Sequence, residues 1–132
     1  MTTSLSIANP LTKRIRLSEQ ASGLSVSFEV LQGLAPDNAE FLWDFLAEPR
    51  EMPALHAMWS GPEISCPIPS GLIPPDWSTR ALPNENATVT PQAGDLVLIY
   101  VPARMWGGNS QPIFDLGFFY GHGGRLLFPV GW

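Results

Sequence analysis

The chain has 132 residues, enough for one domain with a buried core. Hydrophobic residues make up 45% and charged residues 14%, which excludes a disordered polar tail. The net charge of −5 argues against a general nucleic-acid binder and against an anionic membrane surface, because both need a basic face.

Met1 to Thr12 is polar and reads as a flexible N-terminal segment, leaving 13–132 as a single domain. Ile15 and Leu17 alternate with Arg14 and Arg16, the pattern of a half-buried strand. After a turn at Glu19 to Gly23, Leu24, Val26, Phe28 and Val30 alternate with Ser25, Ser27 and Glu29. The two runs predict a hairpin. One helix is expected over about 36–48. It opens on Pro36, whose missing N–H has no partner in a first turn, and Pro49 stops it. Glu40, Asp44 and Glu48 give it a solvated stripe, and Phe41, Leu42, Trp43, Phe45 and Leu46 give it a wide apolar face.

Short strands are expected at Pro53 to Trp59 and Glu63 to Ile68, joined by Ser60-Gly61-Pro62. Pro67 to Pro91 reads as a long irregular loop, Leu96 to Val101 as a buried strand, and Ile113 to Tyr120 as another. Leu126 to Pro129 is expected as a final strand. With 12 glycines and 14 prolines, turns are frequent. Short strands, long loops and one helix predict a mainly β fold, a closed or nearly closed barrel without exposed sheet edges.

Cys66 is the lone cysteine, so no internal disulfide forms, which suits a cytoplasmic location. Met1 to Lys13 lacks the apolar stretch of a signal peptide, and no run reaches the ~20 apolar residues of a membrane span.

Four segments, in order, carry a resemblance. They are Leu34-Ala35-Pro36-Asp37 leading to Phe41, then His56-Ala57-Met58-Trp59-Ser60-Gly61-Pro62-Glu63-Ile64, then Pro91-Gln92-Ala93-Gly94-Asp95-Leu96 with Phe119-Tyr120-Gly121. Together they resemble an uncharacterised bacterial family of the cyclophilin-like superfamily. The resemblance implies a cyclophilin-like barrel and no defined activity. The arginine that follows the histidine in true cyclophilins is replaced by Ala57, which argues against prolyl isomerase activity.

His56, on one strand face with Met58 and Ser60, suits a general acid or base; its structural alternative is a histidine bonded to a backbone carbonyl. Glu63, between an apolar strand and a turn, would have a raised pKa if buried, and an ordinary one if it is an exposed turn carboxylate. No Gly-x-Ser-x-Gly elbow accompanies Ser60, and two separate histidines, His56 and His122, give no metal motif. No metal or cofactor is therefore expected. Trp106-Gly107-Gly108-Asn109 reads either as a lid or as a tryptophan folded back over the barrel end, and Trp77 as a loop aromatic that walls a pocket or an interface.

The leading expectation is a small-molecule-binding protein or modest enzyme with a pocket at one barrel end. The ligand would be acyl, amide or amino-acid derived. His56 would move a proton and Glu63 orient it, above a floor of Trp59 and Ser60. Trp106, Asn109, Phe114 and Tyr120 would form the walls. The alternative is a non-catalytic interaction module; its low charge and many aromatics also favour a homo-oligomer.

Overall fold

The computed structural model describes residues 2–9, 13–105 and 107–126. The structure is mainly β, with two antiparallel four-stranded sheets and one helix. The first sheet holds β1 (Thr2–Asn9), β2 (Arg14–Glu19), β3 (Leu24–Glu29) and β4 (Arg50–Pro53) in the order β3-β2-β1-β4. The second holds β5 (Leu55–His56), β6 (Glu63–Pro67), β7 (Leu96–Val101) and β8 (Ile113–Phe119) in the order β5-β6-β8-β7.

The β2–β3 hairpin forms where its period-two pattern places it, pairing Ile15 with Phe28 and Leu17 with Val26. Glu19 closes its turn by accepting the N–H groups of Ala21 and Ser22. The opening segment departs from expectation. Thr2–Asn9 is not a loose leader but strand β1, paired on both sides, with Thr3 and Leu5 fully buried. Ser4 and Ser6 between them hide the alternation, since serine in a strand and serine in a linker read alike.

Helix α1 spans Pro36–Phe45 and stops short of the expected 48. Arg50 explains the end: its Nε donates to the Phe45 carbonyl at 3.0 Å while the chain turns into β4. Ala35 offers no capping side chain. Glu85, from the distant loop, accepts the N–H groups of Asp37 and Asn38 at 3.3 and 3.0 Å and does the capping instead. Phe41 and Phe45 are buried; Phe41 stacks on Phe114 with ring centroids 4.6 Å apart.

The long loop is not loose either. It carries two single-turn 3-10 segments, Ser70–Leu72 and Pro75–Trp77. Trp77, expected as a pocket or interface wall, lies fully buried edge-to-face on Phe41 and donates its indole N–H to Asp44 at 2.9 Å. Arg80 covers its other side, 3.7 Å from the ring centroid. Trp43, which the helix pattern puts in the apolar face, is half-buried beneath the Lys13 ammonium.

The expected closed barrel is not what the strands make: among the described residues each sheet ends in two edge strands, β3 and β4 in the first, β5 and β7 in the second. The expected strand Pro53 to Trp59 is β4 and β5, one extended segment that leaves the first sheet at Ala54 and enters the second. That crossing joins the sheets on one side. Thr3 Oγ1 lies 3.4 Å from Cys66 Sγ across it, and Cys66 Sγ meets the Pro53 carbonyl at 3.5 Å. On the other side β3 and β7 are, among the described residues, both sheet edges and not paired with each other. Of the expected final strand, Leu126 is buried without strand pairing, and 127–132 lie outside the described residues.

Candidate functional site

Sheet register decides which expected residues meet. In the second sheet Ser65 pairs with Gly117, and Gly117 with Val97, while Cys66 pairs with Leu116. Cys66, Leu116, Phe118 and Phe114 belong to the core cluster between the sheets. Glu63, Ser65, Asp115 and Gly117 therefore stand on the opposite, outer face. Ile99, Val101, Phe119 and Leu126 are buried outside that core cluster, the first three on this same face.

Glu63 is 4% exposed. Ser60 Oγ donates a short hydrogen bond to its Oε1, and among the described residues its Oε2 has no partner. That oxygen lies over Gly117, where a Cβ would come within 1.9 Å of it. Glycine at 117 is thus what makes room for the carboxyl group. Burial pushes the Glu63 pKa up, against the Ser60 hydrogen bond and the nearby His56, which pull it down. Further along the face, Ser65 Oγ donates to Asp115 Oδ2 at 2.7 Å, and the Cys66 N–H donates to Oδ1 at 3.1 Å. Burial raises Asp115 to about 6; the Ser65 hydrogen bond opposes this and the Glu63 charge adds to it.

His56 sits at the edge of the same sheet and is exposed. Its Nδ1 contacts the Ala57 carbonyl at 2.7 Å, the backbone-bonded arrangement, and its Nε2 meets the Tyr120 hydroxyl at 2.5 Å. Among the described residues no hydrogen bond joins His56 to Glu63. The expected proton-moving pair is instead two separate pairs, His56 with Tyr120 and Glu63 with Ser60.

The remaining expected residues do not gather here. Trp59 is 69% exposed and forms no floor. Phe114 is 1% exposed, a core side chain under Phe41 and beside Tyr100 rather than a wall. Asn109 belongs to the β7–β8 turn, where its carbonyl accepts the Arg104 N–H, and Trp106 lies outside the described residues. That turn follows Val101, whereas Glu63 pairs with Phe119 at the other end of the sheet. A six-residue strand separates the ends by about 20 Å, so no single pocket contains all these residues. Cys66 is buried and its thiol pKa is raised by burial, which leaves it unreactive. Among the described residues no three His, Cys, Asp or Glu side chains group to hold a metal, and no helix is long and apolar enough to cross a membrane.

A cavity lies elsewhere, in the open seam between β3 and β7. Its volume is about 390 Å³. Ile15, Phe28, Leu42 and Leu116 line its apolar part; Asn38, Glu85, Asn86, Thr88 and Asp95 supply polar groups. Phe28 and Phe118 meet edge-to-face between the sheets, with centroids 5.4 Å apart. The α1 start and the 83–88 loop flank the gap, pinned together by Asn38 Nδ2 on Glu85 and on the Pro83 carbonyl. Sequence patterning did not show this cavity. The available signal was Leu96 to Val101, apolar on both faces although it is an edge strand whose first half is only part-buried.

No match to the chain is found among curated proteins. A family model does match, over residues 17–132, which takes in the end of β2, every later strand, the helix and all of the cavity lining except Ile15. The chain belongs to that family, described as a protein of unknown function, DUF3830.

Proposed function

We propose that this domain binds a small molecule in the seam cavity, with an apolar part of the ligand inside and a polar part at the rim. The observation that carries the reading is the cavity itself. Its volume of about 390 Å³ falls in the range of about 300–1,000 Å³ typical of ligand sites, with an apolar lining and a few convergent polar groups. The fold is read as a cyclophilin-like barrel left open along one side, on the strength of the four sequence segments that resemble that superfamily. A cytoplasmic setting agrees with the lone, buried Cys66.

A thermal-shift screen against a metabolite library tests this. A ligand at a hundred times its Kd stabilises the folded state by about 2.7 kcal/mol. The expected result is a compound class that raises the Tm of the wild type and of His56→Ala but not of Leu98→Trp, which fills the cavity. A shift that survives Leu98→Trp and disappears in His56→Ala would move the site to the sheet end.

A second reading, an interaction surface, is favoured by one patch. Leu55, Met58, Trp59 and Tyr120 are 55%, 80%, 69% and 51% exposed around His56. Sedimentation of wild type and Trp59→Glu distinguishes it: an oligomer that dissociates in the variant supports an interface there.

A further inference from the structure

The seam cavity has an uncommon wall. Residues 27–31 of the β3 side and residues 94–98 of the β7 side line it consecutively. A strand that presents a face contributes alternate residues only, so an unbroken run means that the main chain itself forms the wall.

The hydrogen-bond register says which groups are free. In an antiparallel pair, residues alternate between pointing N–H and C=O at the partner strand and away from it. Val30 N–H donates to the Lys13 carbonyl at 3.0 Å, so Val26 and Phe28 face β2 while Ser27 and Glu29 face the seam. Phe119 N–H donates to the Asp95 carbonyl at 2.9 Å, so Val97 and Ile99 face β8 while Leu96 and Leu98 face the seam. Among the described residues, two unpaired β-edges thus border one cavity floored by Phe28 and Leu116.

Resting on the cavity reading above, we propose that the ligand is an extended secondary amide, of the size of a capped dipeptide, bound as an added strand. Its N–H and C=O groups pair with Ser27 and Glu29 on one side and with Leu96 and Leu98 on the other. An apolar side group enters between the sheets. Glu29, Glu85 and Asp95 are the charged residues among the described lining, and no Lys, Arg or His accompanies them. The ligand's ends are therefore neutral or cationic, and a free carboxylate is repelled.

The test uses N-acetyl-leucyl-leucinamide, the same compound methylated on its amide nitrogens, and the matching free acid. The capped peptide is expected to raise the Tm and to slow amide exchange at Ser27, Glu29, Leu96 and Leu98 about tenfold or more, read by NMR. Loss of the N–H donors is expected to weaken binding about tenfold, and the free acid to bind more weakly than the amide. Ser27→Pro removes a seam-facing N–H and no ladder bond, so it folds and binds about tenfold more weakly. Equal binding of the methylated compound, or unchanged binding by Ser27→Pro, overturns strand addition and leaves the cavity reading standing. The same holds if no peptide shifts the Tm but another compound does so in a Leu98→Trp-sensitive way. If no compound depends on Leu98, both readings fall.

Discussion

The two seams between the sheets are built from similar side chains and end up opposite in character. At the closed seam one continuous chain passes from β4 to β5, and Leu5, Met52, Ala54 and Cys66 beside it are at most 4% exposed. At the open seam β3 and β7 are far apart in sequence, and Val26, Phe28, Leu96 and Leu98 are only part-buried. The difference teaches that closure here follows chain continuity rather than hydrophobicity. A covalent crossing holds two edges together without the entropy of bringing separate strands to one place. Where no crossing exists, a helix start and a loop brace the gap and a cavity remains.

The largest expected effect breaks the closed seam. Met52→Ala removes a fully buried side chain and should lower stability by about 2–5 kcal/mol, read by urea denaturation. Leu98→Ala at the open seam should cost less than half as much, since water already reaches that side chain. Equal losses would mean that the two seams are packed alike.

Gly117→Ala tests the outer face of the second sheet. A Cβ there would overlap the Glu63 carboxyl, so the side chain must leave its buried place, at a cost of about 1–3 kcal/mol. The double variant Gly117→Ala, Glu63→Ala should recover part of that loss.

At the open seam Glu85→Ala leaves the first turn of α1 without its acceptor and should cost about 0.5–2 kcal/mol, seen as a lower Tm. Wild-type affinity for a cavity ligand would show that the brace does not shape the site.

The smallest effect is one of pH, and it runs in opposite directions at two carboxyl groups, one on the outer face of the second sheet and one at the open seam. Asp115 has a folded pKa of about 6, raised from 3.8 mainly by burial. The folded state therefore holds its proton longer than the unfolded chain, and this stability is present in acid and lost as pH rises through about 6. For Glu85 burial pushes upward, but the hydrogen bonds from Asn38 and Asp37 outweigh it and lower the pKa. Its contribution is present above the ordinary carboxylate range and is lost as pH falls through the lowered value. Between pH 4 and 7, Asp115→Asn should remove a falling component of the stability curve. In acid, Glu85→Gln should remove a rising one. Slopes unchanged from wild type in both variants would show that neither carboxyl group is perturbed.

Local chemistry alone determined the elements whose pattern is carried by their own residues. The β2–β3 hairpin follows from strict alternation, α1 from Pro36 and its acidic stripe, and β7 and β8 from their apolar runs. The burial of Glu63 was conditional in the sequence, because a carboxyl after a turn reads as exposed unless something covers it. Register decided the rest. It set Glu63 against Gly117, where the missing Cβ leaves room, and it put His56 with Tyr120 instead of with Glu63. It also separated Asn109 from His56 by the length of a strand and placed Phe114 in the core. The cavity depends on the relation between two edges that approach only after both sheets have formed. No residue spacing records that relation, since it arises where main-chain pairing stops, and main-chain groups are the same at every position.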